Sequence, residues 1–86
     1  MRAYERRVKM SKVNVVVKEN YDLRTLIKDE HGVYHAIVYR EKTEDYVFCY
    51  HYDITDGTWG QGHYCSSFRG AIEQMLVTVV NWYFPE

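Results

Sequence analysis

The sequence predicts a small α+β domain, in which an antiparallel meander of four to five strands packs on one C-terminal helix. Between residues 11 and 65, apolar and polar residues largely alternate with a period of two, which is typical of half-buried strands. From residue 68 onwards the apolar spacing changes to three and four, which indicates an amphipathic helix. Because the strands precede the helix without alternating with it, an antiparallel sheet is favoured.

Length and composition indicate one folded domain spanning 1–86. The chain has 86 residues, of which 47% are hydrophobic and 16% aromatic, unlike the composition of disordered chains. The net charge of −1 provides no overall attraction to nucleic acid or to an anionic membrane. No apolar run is long enough for a secretory signal or a membrane span, so we expect a cytoplasmic protein whose two cysteines are reduced.

Turn residues divide the first part of the chain into five predicted strands. These strands cover residues 11–20, 21–28, 33–40, 46–54 and 59–65. Gly32 and the charged residues 41–45 mark two hairpin turns, and Asp56-Gly57 is the strongest hairpin signal in the sequence. The glycines at 60 and 62 weaken the last strand and indicate a bulge or a close backbone approach.

The predicted helix covers about 67–83, with Ser66 or Ser67 as its N-cap and Pro85 beyond its end. Its apolar stripe comprises Phe68, Ala71, Ile72, Met75, Leu76, Val79, Val80 and Tyr83. At the other end of the chain, residues 1–10 are rich in arginine and lysine. We interpret them as a flexible basic tail with no role in the fold.

Symmetric hairpin loops predict which side chains share each face of the sheet. One face is mostly aliphatic and suits the helix: Val13, Val15, Val17, Leu23, Ile27, Ile37, Tyr39, Val47 and Cys49. The opposite face, predicted to be open, is basic and aromatic: Lys18, Arg24, Lys28, Tyr34, Val38, Arg40, Tyr46, Phe48, Tyr50 and Tyr52. A register slip of one residue would turn this aromatic face into the core.

The predicted function is that of a small, non-enzymatic binding module. The candidate binding residues are Tyr34, Tyr46, Phe48, Tyr50, Tyr52, Arg24 and Arg40 on the open face, with Trp59 and His63 in the glycine-rich hairpin. Such a surface suits a protein partner, and the alternative is single-stranded nucleic acid, whose bases stack on aromatic rings. Val77, Trp82 and Phe84 lie off the main helical stripe and either cover the sheet edge or form a homodimer contact.

Two cysteines and two histidines mirror each other about Gly57. If Thr55 pairs with Trp59, the residues that share one face are Cys49, His51, His63 and Cys65, which are legitimate zinc ligands. Their spacing is unlike that of zinc fingers or ribbons, so a zinc-stabilised domain is a second alternative, and we expect neither a cofactor nor a metal. No recognisable oxyanion site or orienting group accompanies Cys65, and no catalytic residue is predicted.

The run from Asp56 to Tyr64, with the sequence DGTWGQGHY, lies between an aromatic strand and a serine-capped helix. It resembles a run in small uncharacterised proteins of phages and conjugative elements of Gram-positive bacteria. The resemblance extends over roughly 46–76 and implies a bacterial, intracellular accessory protein, with inhibition of host defence nucleases as one role. An aromatic residue is expected where Cys65 stands, which argues further against a catalytic role for Cys65. No residue role is carried over.

Overall fold

Six strands, one helix and a short final strand follow one another along the chain in a computed structural model, which describes residues 5–86. In chain order the elements are β1 (Glu5–Met10), β2 (Val13–Lys18), β3 (Tyr21–Asp29), β4 (Tyr34–Arg40), β5 (Asp45–Asp53), β6 (Thr58–Cys65), α1 (Phe68–Thr78) and β7 (Trp82–Tyr83). The predicted α+β class, with an antiparallel meander and one C-terminal helix, is confirmed.

The central sheet has the strand order β6-β5-β4-β3-β7, and every neighbouring pair is antiparallel. β1 and β2 form a separate hairpin. Residues of this hairpin and residues of α1 belong to two different buried clusters that share the central sheet. Both faces of the sheet are therefore covered, one by the hairpin and the other by the helix.

The two faces bury different side chains. The hairpin-side cluster comprises Val15, Val17, Leu26, Ala36, Val38, Val47, Cys49 and Tyr52. The helix-side cluster comprises Ile27, Ile37, Phe48, Ala71, Met75 and Val79. Each cluster draws on β3, β4 and β5, because side chains that are successive along a strand point to opposite faces.

The interpretation of residues 1–10 as a flexible tail is wrong for Glu5–Met10, which form β1. Val8 and Met10 pack against the hairpin-side cluster, while Arg7 and Lys9, which alternate with them, are exposed. The segment thus alternates like a half-buried strand, and its many basic residues make this pattern difficult to recognise in the sequence. The first four residues of the predicted tail lie outside the described part of the chain.

The helix is shorter than the predicted 67–83 and ends at Thr78. Its predicted N-cap is confirmed, since the Ser67 hydroxyl accepts a hydrogen bond from the Gly70 N–H at 3.0 Å. At the other end Val79 is extended and Asn81 has a φ of 57°, so the chain turns back to the sheet. The β-branched run 77–80 has low helix propensity, and Trp82–Tyr83 gains strand pairing with β3 instead.

The predicted pairing of β4 with β5 is wrong by one residue, and the error exchanges the two faces of β5. Ile37 lies opposite Phe48, whereas the symmetric loop placed it near Cys49. The turn has four residues, and it ends with Glu44 at a φ of 54°, whose N–H donates to the Arg40 carbonyl at 2.8 Å. As a result α1 covers the aromatic side of β5, and the predicted open aromatic face does not exist.

Gly57 allows the turn between β5 and β6 to approach the β1–β2 hairpin. It has a φ of 76°, and a Cβ atom at this position would lie 2.9 Å from the Val16 carbonyl oxygen. We expect Gly57→Ala to lower the free energy of unfolding by about 2–3 kcal/mol, from the cost of a positive φ plus displacement of the hairpin. Urea unfolding monitored by circular dichroism measures this loss.

Gly32 is a matched control for Gly57. Its φ is 83°, but a Cβ atom there would meet nothing closer than the Lys28 Cε at 3.8 Å. Gly32→Ala therefore isolates the backbone cost, which we expect to be about 1 kcal/mol. Equal losses for the two variants would show that the close approach of Gly57 to Val16 contributes nothing.

Candidate protein-interaction surface

The aromatic residues that were predicted to share one binding face lie on both sides of the central sheet. Tyr46, Phe48 and Tyr50 project to the helix side, where Phe48 is completely buried. On the hairpin side lie Tyr34, Tyr52 and Trp59. These residues cannot form one continuous contact surface, because the sheet itself separates them.

The backbone of His51 explains why Tyr50 and Tyr52 point in opposite directions. His51 has a φ of 57°, which interrupts the alternation of side chains in the middle of β5. Tyr52 is consequently buried, and its hydroxyl donates to the Val16 carbonyl at 2.8 Å. Burial raises the pKa of Tyr52. The tyrosine therefore fastens the β1–β2 hairpin to the sheet.

The basic residues of the predicted face are engaged with neighbouring side chains. Arg24 lies over the Tyr39 ring at 5.2 Å from its centroid. Arg40 makes a two-pronged ion pair with Asp45 at 2.7 and 2.6 Å, and it also lies 4.5 Å from the centroid of Tyr64. Hydrogen bonding from Arg40 lowers the pKa of Asp45 to about 2. These contacts hold the cations within the fold and do not arrange them as a track for phosphates.

The cysteines and histidines considered for zinc are not brought together. Cys49 lies opposite Gly62 and belongs to the hairpin-side cluster, where burial raises the pKa of its thiol. His63 lies opposite Phe48 and stacks on its ring, with 5.9 Å between the centroids. The pairing of β5 with β6 differs by three residues from the one that aligned Cys49 with Cys65. Within residues 5–86 no group of three or more metal-ligating side chains is arranged to hold an ion.

A buried Asp–His pair, which the sequence did not single out, lies at the end of the sheet next to β7. The His35 Nε2 and the Asp29 Oδ2 are 2.9 Å apart, and His35 is completely buried. The Nδ1 of His35 accepts a hydrogen bond from the His51 N–H at 3.1 Å. Because Nδ1 accepts, the proton of the neutral ring lies on Nε2 and is donated to Asp29. The sequence signal was a histidine inside the apolar strand β4.

Asp29 also holds the turn between β3 and β4. Its Oδ1 accepts from the N–H groups of His31 and Val33 at 2.9 and 3.0 Å. Burial alone would raise the pKa of Asp29, but the hydrogen bonds from His35, Val33 and His31 outweigh it and keep this pKa below 3.8. Both ring nitrogens of His35 are used inside the fold, so the pair is a structural network and does not have a free base for catalysis.

Large apolar side chains are exposed at the C-terminal end of the molecule. We define the C-terminal apolar surface as Leu76 (50% exposed), Val77 (77%), Val80 (68%), Tyr83 (48%) and Phe84 (61%). Of the three residues predicted for a homodimer contact, two belong to it. The third, Trp82, is partly buried against the helix-side cluster and contacts the Phe84 ring edge-to-face at 5.5 Å.

The surface is uncharged as well as apolar. No charged residue occurs between positions 74 and 84. Asn81 fixes the turn after the helix by donating to the Glu30 Oε2 at 3.0 Å, and β7 pairs with Lys28 and Asp29. The exposed side chains are therefore carried by the helix end, by β7 and by the residues that flank β7.

These features define a small α+β domain with a two-sided core and an exposed apolar surface at its C-terminal end. Comparison with protein-family models, with curated proteins and with solved structures found no match for this chain. No helix formed by residues 5–86 has the length and apolar character needed to cross a membrane.

Proposed function

We propose that the protein is a non-enzymatic binding module, which contacts a protein partner through the C-terminal apolar surface. The observation that supports this proposal is the exposure of five large apolar side chains, between 48% and 77%, within nine consecutive residues. Monomeric proteins rarely expose so many neighbouring apolar side chains, because extended apolar patches mark interaction sites or aggregation hazards.

The shape of the surface suits a partner with an apolar groove. Leu76 and Val77 lie in the last turn of α1, and Val80 follows in the chain just beyond the helix end. Tyr83 and Phe84 add two aromatic rings beyond the helix, and aromatic residues are frequent anchors at protein interfaces. Insertion of a helix into a hydrophobic groove is a common mode of recognition.

The proposed biological setting rests on the resemblance of the run from Asp56 to Tyr64. It is the cytoplasm of a bacterium that carries a phage or conjugative element, in which the protein acts as an accessory factor or an inhibitor of a host protein. In this role the C-terminal apolar surface would compete for a hydrophobic site on the target. No catalytic residue is part of the proposal.

A double substitution tests the proposal. We expect Val77→Ser with Val80→Ser to abolish capture of the partner from an extract of the native host, and to weaken the purified complex by at least about 30-fold, because two interface anchors are lost. Both positions are exposed, so the free energy of unfolding should change by less than about 1 kcal/mol.

Glu73→Ser provides the matched control for this double variant. Glu73 is also exposed on α1, one turn before Val77, and it lies outside the C-terminal apolar surface. The control should retain the partner with unchanged affinity. Retention of the partner by the double variant, or repeated capture experiments in which the wild-type protein returns no partner, would contradict the proposal.

A further inference from the structure

We propose that β6 pairs antiparallel with β6 of a second copy of this chain, to form a two-fold dimer with a continuous ten-stranded sheet. β6 is the outermost strand of the central sheet and is eight residues long. Among residues 5–86 it has β5 as its only strand neighbour. Its outer edge therefore presents unpaired backbone N–H and C=O groups, which form a template for another strand.

The other edges of the molecule carry charge, proline, short length or a bulge, which oppose strand pairing, whereas β6 is long and uncharged and its alternation is interrupted once, at Gly60. β1 has four charged residues among six, and β7 is only two residues long with Pro85 close behind it. β3 has a β-bulge at Arg24 in the part that β7 leaves open. β6 has no charged residue and no proline along its whole length. This difference makes β6 the edge that is best suited to pair with another strand.

The charges that flank β6 are self-complementary in the antiparallel direction. Asp53 at the end of β5 and Asp56 in the following turn precede β6, and α1 begins shortly after β6 with Arg69 in its first turn. No acidic residue offsets the positive end of the helix dipole there. Antiparallel pairing brings the acidic turn of each copy next to the helix start of the other. A parallel arrangement would place like charges next to each other, so the charges favour the antiparallel, two-fold dimer.

Pairing along the full length of β6 also matches the side chains at the two ends of the strand. Trp59 and Tyr64 lie opposite Tyr52 and Val47 of β5, both members of the hairpin-side cluster, so Trp59 and Tyr64 project to that side. Full-length antiparallel pairing places Trp59 opposite Tyr64 of the second copy, and Thr58 opposite Cys65. Cross-strand aromatic pairs of this kind stabilise antiparallel ladders.

The dimer leaves the C-terminal apolar surface free. β7 and β6 are at opposite edges of the central sheet, four strand spacings or about 19 Å apart. The dimer proposal therefore does not depend on the proposed function, and the two can fail separately. A dimer abolished by Val77→Ser with Val80→Ser, and unaffected by changes in β6, would place the contact on the apolar surface and overturn the β6 proposal.

Sedimentation equilibrium of the full chain tests the pairing. The wild-type protein should show a mass of twice 10.3 kDa. Gln61→Lys places a charge on each exposed edge and should raise the dimer dissociation constant at least about tenfold. His31→Lys adds the same charge in the exposed turn between β3 and β4 and should leave the constant unchanged. A wild-type monomer at the highest attainable concentration, or equal effects of the two variants, would overturn the proposal.

Arg69→Glu separates loss of the dimer from loss of the fold. A glutamate in the first turn of α1 favours the helix dipole, so the thermal midpoint of the variant monomer should be unchanged or raised. The same glutamate would face the acidic turn of the second copy, and the dissociation constant should rise at least about threefold at low salt. Lys12→Glu, with the same charge change in the exposed β1–β2 turn, is the control that should have no effect.

Thr58→Cys tests the direction of pairing. Thr58 and Cys65 are at opposite ends of β6, about 23 Å apart, so they cannot form a disulfide within one chain. In the antiparallel dimer the new cysteine lies beside Cys65 of the second copy, and mild oxidation should yield a covalent dimer with that linkage. Monomeric product under conditions in which an unlinked dimer persists would contradict this arrangement.

Discussion

Replacing Asp29 by alanine is expected to lower the free energy of unfolding by about 3–5 kcal/mol. The Asp29 carboxylate accepts from the His35 Nε2 and from the N–H groups of His31 and Val33. Without it, His35 keeps a buried N–H with no acceptor, and the turn between β3 and β4 loses both of its side-chain hydrogen bonds. Chemical unfolding in urea at neutral pH measures the loss.

Asp29→Asn distinguishes the contribution of the turn to stability from the contribution of the buried histidine. The amide oxygen can still accept from His31 and Val33, but its NH₂ group would face the His35 Nε2–H, which is also a donor. Reversing the tautomer of His35 would move the conflict to Nδ1, where the His51 N–H donates. We therefore expect about half of the loss caused by alanine. Equal unfolding free energies for wild type and Asp29→Ala would contradict the network.

Lowering the pH should weaken the same interaction without a mutation. The pKa of Asp29 is lower in the folded protein than the ordinary value of 3.8. The stabilisation that this difference represents is thus complete above pH 3.8 and is lost as the pH falls from 3.8 through the folded pKa. The difference in unfolding free energy between wild type and Asp29→Asn should shrink over that interval. Since Asp45 and Asp53 occur in both proteins, their own lowered pKa values cancel in the comparison.

Local signals in the sequence were sufficient to predict β2 to β6 and the start of α1. The change of period near Ser67 indicated the end of β6 and the start of the helix, and the Ser67 cap forms as expected. Asp56-Gly57 lies in the turn between β5 and β6, with Gly57 at positive φ as this signal requires. These features depend on a few neighbouring residues, so they can be read without the tertiary structure.

The assignment of faces depended on one turn that has no distinctive residue. The loop between β4 and β5 contains no glycine, and Glu44 adopts a left-handed conformation that sequence does not signal. One residue more or less in such a loop exchanges all side chains of β5 between the faces. The left-handed backbone of His51 adds a second reversal, between Tyr50 and Tyr52. The candidate surface was misplaced for these two reasons.

The position of the binding surface follows from what covers the sheet. The sequence assigned the first residues to a tail, so one face had no cover and was predicted to bind. Once β1 joins β2 and packs on that face, five of the seven large apolar side chains that are exposed in residues 5–86 lie at the end of α1 and in the chain after it. Val77 and Phe84 lie off the helical stripe, and this position is the sequence signal that points to the surface.

Phe48 is expected to be one of the most costly positions to truncate. It is completely buried on the helix side, between β4 and β6, and its ring stacks on that of His63. Phe48→Ala removes this core side chain and leaves a cavity beneath α1. We expect a loss of about 3–5 kcal/mol in the free energy of unfolding.

Phe84 is the matched control, because the same substitution there removes the same atoms from an exposed position. Phe84 is 61% exposed and contacts the edge of Trp82. Phe84→Ala should therefore change the free energy of unfolding by less than about 1 kcal/mol. Because Phe84 belongs to the C-terminal apolar surface, the same variant should weaken the complex with the partner while the fold is retained.

The central claim is that the aromatic side of β5 is core and that the exposed apolar surface lies at the C-terminal end. The most direct test is the difference in unfolding free energy between Phe48→Ala and Phe84→Ala, measured by urea unfolding under identical conditions. The account predicts that Phe48→Ala is less stable by at least about 2 kcal/mol. Equal stabilities, or a greater loss for Phe84→Ala, would contradict it.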